Sequence, residues 1–387
     1  MRLAYTDKHF APMGVSMPGV PMLLDDQERF IEVPQRWLLE LAILNGRTRS
    51  AATWRSYAEA LYDWLRTGVT NGWRWEDATE TQLATYRNNM LASQTAFGRP
   101  HSESTINGRL RRVIYFYRWA ARNDLLPHRD LVYVYESVVV SRDAQWELLG
   151  HLGIRRLRES PRLLLRDYRR QPRGLSRGEI LAIRYQLTNE RDRLIMDWGL
   201  YTGARLGEIH GLSVDRIPRV QPGFASPFVQ LDLHMTKGRR RRWLWVPLEL
   251  VDRTWRYIDR DRRRLVRDGA RPPALWLGRW GRPLARGSIE GMFRHACLRA
   301  GTDGHFHMLR HTYAIVMLRI LTYVNRQRGL AGSTNALKAV QILLGHAGLA
   351  STAIYLQSLE VDEPTMGSAV EALGDLLNPQ RYPAADV

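Results

Sequence analysis

The sequence predicts a mostly α protein with one small β-hairpin, divided into two domains, and three observations carry that expectation. Apolar residues recur at three- and four-residue steps through most of the chain, the pattern of helices with one buried face. Strict alternation occurs in one place, at Val229, Leu231, Leu233 and Met235, answered after a turn by Trp243, Leu244, Trp245 and Val246. A length of 387 residues exceeds what a single core comfortably holds and suits two domains.

In order along the chain, residues 1–28 are rich in Met, Pro and Gly with little periodicity, and read as an extended or loosely docked arm. A helical domain is expected over 29–132. Trp54, Tyr57, Leu61, Trp64 and Leu65 form one amphipathic stripe ending near Gly68. Thr79 with Gln82 makes a capping box before Leu83, Tyr86 and Met90. From Ser104 to Asn123, Ile106, Leu110, Val113, Ile114 and Tyr117 share one side of a third helix. Arg109, Arg111, Arg112, Arg118 and Arg122 occupy the other side with no carboxylate between Arg109 and Arg122, so this face is expected to meet phosphates.

Residues 133–174 carry Val138–Val140, basic runs at Arg155–Arg158 and Arg166–Arg170, and punctuation at Pro161, Pro172 and Gly174. They read as a long basic interdomain linker lying along DNA, with room for short elements. A second domain is expected over 175–362, opening on the capping box Ser176-Arg177-Gly178-Glu179. Arg191–Leu200 should be a buried helix leading into the turn that presents Arg205, and the alternating segment a hairpin with Lys237 at its tip. Everything after about Val251 is helical by pattern. In the C-terminal segment 363–387, Met366, Val370, Leu373 and Leu377 form a further stripe.

A formal charge of +18 points to a polyanionic partner, with DNA or RNA ahead of anionic membrane. Hydrophobic content of 44% with 13 Trp and 16 Tyr excludes a disordered chain. The single cysteine, Cys297, excludes an intrachain disulfide and reads as a buried structural thiol. No apolar run approaches the ~18 to 20 residues needed to span a bilayer, and the N-terminus lacks the apolar core of a signal peptide. A cytoplasmic, nucleoid-associated protein with no membrane contact is expected.

The chemistry concentrates in the last quarter. His307-Met308-Leu309-Arg310-His311 is followed by Leu344-Gly345-His346 and, nine positions later, by Tyr355, while Thr202-Gly203-Ala204-Arg205 supplies a second arginine. A phosphodiester repels nucleophiles, so its non-bridging oxygens must be neutralised, the attacker activated and the leaving alkoxide protonated. Guanidinium forks suit the first task because they grip two oxygens at once and stay charged, which nominates Arg205 and Arg310. His307, three residues before Arg310, would point the same way on a helix. His305, His307 and His311 lack a cysteine or carboxylate at ligand spacing, so no metal site and no cofactor is expected.

These residues resemble the tyrosine recombinase (phage integrase) family, whose catalytic half carries Arg, Lys, His-x-x-Arg, His or Trp, and Tyr in that order. Here the order is filled by Arg205, Lys237, His307, Arg310, His346 and Tyr355, and Leu200–Glu208 is similar to the family's first arginine box. The resemblance covers 175–360 strongly and 45–130 more loosely. It implies a helical core-binding domain that clamps one side of DNA, followed by an α+β catalytic domain. Tyr355 would attack the scissile phosphate to form a 3′-phosphotyrosyl bond. Lys237 would protonate the 5′ leaving oxygen, with Arg239, Arg240, Arg241 and Arg242 beside it contacting phosphates. His307 would manage the tyrosine proton, His346 would donate a hydrogen bond to the phosphate, and Glu208 would support an arginine or histidine. His311 is expected to pack or hydrogen-bond structurally.

The implied partners are double-stranded DNA carrying specific recombination sites and further copies of the chain, as a tetramer on paired sites, with the C-terminal segment passed to a neighbour. The chain departs from the pattern over roughly Arg319–Asn335, where compact members pass more directly between helices. The alternatives are a type IB topoisomerase-like enzyme, which rejoins the same strand, and a DNA-binding architectural protein without the reaction.

Overall fold

The computed structural model describes residues 1–45, 50–95, 98, 100–127, 135–140, 156–166, 172–221, 223–233, 242–266, 272–328, 335–346 and 350–355, with 13, 135–140, 156–159, 326–328, 350 and 353 as backbone only. The chain divides into two compact units, Met1–Arg169 and Arg170–Val387.

The first unit opens not on a loose arm but on an antiparallel pair, β1 (Arg2–Tyr5) with β2 (Pro21–Leu24), in register from Arg2 opposite Leu24 to Tyr5 opposite Pro21. Two contacts fix it. Leu23 is fully buried in the helical core, worth roughly 1.5–3 kcal/mol for such a side chain. Gln35, on α1 (Glu32–Leu39), accepts from the Leu23 N–H at 2.7 Å and donates to the Pro21 carbonyl at 3.2 Å. Neither contact leaves a periodic trace in the sequence, because a four-residue strand is too short to display one.

The helices α2 (Ala51–Asn71), α3 (Glu80–Ala92) and α4 (Glu103–Arg122) follow. Thr79 and Gln82 form the reciprocal capping box that starts α3, and Gly72 ends α2 in the left-handed conformation. Trp64, Leu83, Tyr86, Ile106, Leu110, Val113, Ile114 and Tyr117 build the core. Its polar ends are satisfied: Trp64 Nε1 donates to Tyr117 Oη at 2.8 Å, and that hydroxyl donates to the Trp75 carbonyl at 2.8 Å.

The segment read as a linker is partly built into this unit. Two strands, β3 (Tyr135–Val140) and β4 (Arg156–Pro161), pair antiparallel. Leu163 joins the core, and Asn107 on α4 clamps the chain beyond it, donating to the Leu165 carbonyl at 2.9 Å and accepting from its N–H at 2.8 Å.

The second unit begins with α5 (Arg177–Gln186), capped by Ser176 and Glu179 as its sequence requires, then α6 (Glu190–Thr202) and α7 (Leu206–His210). Strands β5 (Phe228–Leu233) and β6 (Arg242–Pro247) pair antiparallel, with Leu233 opposite Arg242. Next come α8 (Leu248–Tyr257), a π-helical turn at Ile258–Arg262 and α9 (Arg263–Leu265). Residues 272–285 depart from the helical expectation: they are irregular, with a turn at 279–282 and isolated bridges Ser213–Ala274 and Leu277–Pro283. The Arg262 guanidinium satisfies the carbonyls of Pro272, Ala274 and Leu275 there, and Leu275, Trp276 and Leu277 are buried.

The chain ends its described course in α10 (Arg286–Arg299), α11 (His307–Arg328), α12 (Ala336–Leu344) and α13 (Ala350–Ala353). The extra residues after Arg310 are in part a continuation of α11 as far as Arg328, and the rest, up to 334, lie outside the described residues. The C-terminal stripe from Met366 also lies outside them. Cys297 is 1% exposed within the α10 core, and burial pushes its thiol up to about 11, away from nucleophilic use. No helix among the described residues is long and apolar enough to cross a membrane.

Candidate active site

Two glycines make the site's close approaches possible. α6 stops at Gly203, whose left-handed backbone (φ +61°) turns the chain so that Arg205 leads α7. A Cβ there would stand 2.4 Å from the Tyr313 ring, so only glycine fits. Gly345 (φ +61°) likewise ends α12, and a Cβ on it would meet Arg242 Cδ at 2.7 Å.

Between these turns lie three guanidinium groups and one carboxylate. Glu208 accepts from the Arg205 backbone N–H at 2.7 Å and from its guanidinium at 3.0 Å, and it also accepts from Arg242. Arg242 further donates to the Leu343 carbonyl at 2.5 Å. Arg310, 2% exposed, donates to the Gly203 carbonyl at 2.7 Å and to the Leu344 carbonyl at 2.6 Å, tying the end of α6 to the end of α12. Burial alone would raise the Glu208 carboxyl, but Arg242 and then Arg205 hold it below the usual carboxylate range. Burial, with Arg205 and Arg242 nearby, lowers Arg310 to about 9, which leaves it charged at neutral pH. Three cations against one anion leave the cluster short of negative charge, a deficit a phosphate would fill.

Tyr355, just past α13, is 2% exposed and packs in a small cluster with Tyr313, Ala314, Leu318, Val340 and Leu344. Burial raises its pKa, while Arg310 and Arg205 pull it back, which places both arginines within electrostatic reach of the phenol. The His346 ring lies nearly parallel to the tyrosine ring with centroids 6.4 Å apart, and its Nδ1 is 2.9 Å from Thr352 Oγ1. His311 Nδ1 stands 2.9 Å from Tyr355 Oη. His307 meets His311 edge-on at 4.7 Å between ring centroids, and partial burial, then Arg310, His305 and Arg205, lower its pKa.

The structure therefore brings together Arg205, His307, Arg310, His346 and Tyr355, while Lys237, Arg239, Arg240 and Arg241 lie outside the described residues. Arg242 departs from the expected phosphate-contacting role. It is 6% exposed and its fork is occupied by Glu208 and the Leu343 carbonyl, so it braces the site from inside. Strand parity carried the signal, since Arg242 alternates with buried Leu244 and Val246 on one face of β6. His311, expected to pack or hydrogen-bond, has the Tyr355 phenol as its hydrogen-bond partner.

On α4 the arginine face is mixed. Arg109 pairs with Asp63 at 2.5 Å and Arg112 lies over the Tyr57 ring at 5.7 Å, while Arg118 is half-buried and Arg111 and Arg122 are exposed. The absence of carboxylates between Arg109 and Arg122 did not exclude one arriving from α2.

Burial first, and then the cations around them, hold His311 and His346 each at about 4 against an ordinary 6.5. Both are neutral when folded, so below about 6.5 the unfolded chain binds protons that the folded chain refuses. Their contribution to stability is present in full above about 6.5 and is lost as pH falls toward 4. Thermal unfolding followed from pH 8 to about 4 should show a level midpoint and then a decline, and His346→Asn should flatten the decline. A midpoint independent of pH over that range would contradict the neutral assignment.

Comparison with known proteins completes the picture. Residues 179–361 match the profile of the Phage integrase family. Tyrosine recombinase XerC 1 of Ralstonia nicotianae is 31% identical over 205 residues, 48% of this chain and 56% of that protein. Tyrosine recombinase XerC of Chlamydia trachomatis serovar L2 is 26% identical over 267 residues, 66% of this chain and 67% of that protein. The chain spans about half the length of the first curated relatives it matches. Among solved structures, the site-specific recombinase XerH bound to palindromic difH substrate superposes with a TM-score of 0.55 at 15% identity, covering 91% of this chain and 90% of that one. A lambda integrase (75–356) dimer bound to a COC′ core site gives 0.54 at 16% identity, covering 83% and 94%. At such identities the structural likeness establishes the fold, and through residues 179–361 the chain is similar to the phage integrase family of tyrosine recombinases.

Proposed function

We propose that this protein is a site-specific DNA recombinase that cuts and rejoins double-stranded DNA through a 3′-phosphotyrosyl intermediate on Tyr355. The observation that carries the reading is the seating of the Tyr355 phenol beside Arg205, Arg310 and His346, in a cluster with more positive charge than its own carboxylate balances. Arg205 and Arg310, the latter through the N–H groups left over beside its bonds to the Gly203 and Leu344 carbonyls, would hold the non-bridging oxygens, and His346 would add a hydrogen bond. Preorganised donors of this kind are worth ~10²- to 10³-fold each in rate where they have been removed singly. One phosphoester is exchanged for another, so bond energy is conserved and no nucleotide is consumed. Lys237 is proposed as the acid for the 5′ oxygen. Exposed Arg111 and Arg122, with the basic run at 239–241, would add phosphate contacts, and copies of the chain would assemble as a tetramer on paired sites. The XerC relatives and the DNA-bound recombinase structures support this reading.

The test begins with a duplex recovered from a random-sequence pool by the full-length Tyr355→Phe protein. A nicked form of it, incubated with the wild-type protein, should yield a covalent adduct whose phosphopeptide contains Tyr355, with a chelator leaving the rate unchanged because arginines supply the charge. With two differently labelled duplexes, strands should rejoin across partners. Rejoining only within the original strand would point to a topoisomerase instead, and absence of adduct to an architectural protein. Binding should also weaken steeply with salt, on the order of 10³- to 10⁵-fold between 50 and 200 mM for ~6 to 10 neutralised phosphates, and a flat response would contradict a phosphate-reading surface.

A further inference from the structure

We propose that His311, rather than His307, takes the phenolic proton of Tyr355 as the tyrosine oxygen attacks phosphorus; this deepens the proposed function and rests on Tyr355 being the nucleophile. The contact is direct. His311 Nδ1 and Tyr355 Oη are 2.9 Å apart, a heavy-atom distance within the range a general base requires. The two side chains converge from α11 and from the turn after α13, 44 residues apart in sequence, and the phenol is 2% exposed, so bulk water has little access to it. His307 lies edge-on to His311, with ring centroids 4.7 Å apart.

The direction of proton transfer follows from charge. His311 faces His307 and Arg310 on its own helix and His305 just before it, while Arg205, Arg310 and His346 lie on the side of Tyr355. Burial and these neighbours, with a pKa of about 4, keep the ring neutral at working pH. A neutral ring carrying its hydrogen on Nε2 presents the Nδ1 lone pair to the phenol and accepts its O–H. As the Tyr355 oxygen bonds to phosphorus and the bond from phosphorus to the 5′ oxygen breaks, the phenolic proton moves to Nδ1 and gives an imidazolium. The leaving 5′ oxygen takes its proton from a separate acid. In rejoining, the 5′ hydroxyl attacks, the phosphotyrosyl bond breaks, and His311 returns the proton to the phenolate.

An acidic ring is a weak base in isolation. The phosphate that enters the site opposes this, because its negative charge offsets the arginines that depress the histidine. His307, edge-on to the ring that becomes charged, is placed to feel that charge rather than to exchange the proton with the phenol.

The experiment measures single-turnover adduct formation by the full-length protein on the nicked duplex selected from the random pool, from pH 5.5 to 9. His311→Asn keeps a polar atom near the Nδ1 position but cannot be protonated. It should bind the duplex as tightly as wild type yet form adduct about 10²- to 10⁴-fold more slowly at pH 7. Its rate should climb about tenfold per pH unit as hydroxide replaces the base, where wild type is nearly level. His311→Ala should be slow in the same way and should recover with added imidazole, a response that a purely structural histidine would not give. A wild-type rate in His311→Asn would overturn the assignment, as would a loss equal at every pH without imidazole rescue. Steep pH dependence and rescue in His307→Asn and His307→Ala, with His311 variants unaffected, would return the role to His307. Absence of any Tyr355-dependent adduct from the wild-type protein would instead sink the nucleophile itself, so the two failures are told apart.

Discussion

Tyr355→Phe is expected to bring covalent adduct formation below detection while leaving DNA affinity and folding nearly unchanged. The substitution deletes one oxygen. The ring keeps its packing against Tyr313, Ala314, Leu318, Val340 and Leu344, so the apolar burial that holds the end of the described chain is retained. What is lost from stability is the hydrogen bond to His311, about 0.5–1.5 kcal/mol net for such a bond. In the proposed reaction, what is lost from chemistry is the atom that would bond to phosphorus, and removing a covalent nucleophile elsewhere has cost on the order of 10⁶-fold in turnover. Tyr313 is no substitute. Burial raises it to about 12, and its ring is wedged against Gly203. Gel analysis of denatured reactions on the selected nicked duplex reads the outcome. An adduct that persists in Tyr355→Phe means another nucleophile.

The sequence made the local grammar of this fold legible and hid its long-range stitching, for reasons visible residue by residue. The capping boxes at Thr79 and Ser176 could be read in advance because they are closed within four residues, and both are formed. The hairpin ladder of β5 and β6 was equally plain from alternation. Docking of β1 and β2 depends on Gln35 and on the buried Leu23, and Asn107 holds Leu165 from 58 residues away. Such contacts join residues whose spacing carries no period. In the candidate site, the residue types in order pointed to Arg205, His307, Arg310, His346 and Tyr355, and all are gathered in space. Less legible were two residues whose surroundings decide their character. Arg242 looked like one more charge in a basic run, though its parity on β6 buried it, and for His311 the sequence suggested packing or a hydrogen bond without showing that the partner is the Tyr355 phenol.

Glu208→Ala is expected to be the most destabilising single substitution in the second unit outside its apolar core. The carboxylate side chain is 3% exposed, and it serves the Arg205 backbone N–H, the Arg205 guanidinium and the Arg242 guanidinium at once. Removing it leaves Arg205, Arg242 and Arg310 clustered without a counter-charge, and stripping one partner from a buried pair typically costs about 3–5 kcal/mol. Urea unfolding of the full-length protein should show a lower midpoint for that transition. Replacing both partners, Glu208→Leu with Arg242→Leu, should cost less than the sum of the two single changes, because no unpaired charge remains between them. Sulfate or inorganic phosphate should restore part of the loss in Glu208→Ala and do less for the double variant, since an anion bound to the folded state stabilises it by mass action and the single variant offers the larger excess of positive charge. Function should suffer as well: Arg205 loses the bonds that aim it, so adduct formation should slow even where added anion has repaired stability. A Glu208→Ala protein within about 1 kcal/mol of wild type would show that solvent rather than the carboxylate balances the three arginines, and would remove the argument that this cluster is built to await a phosphate.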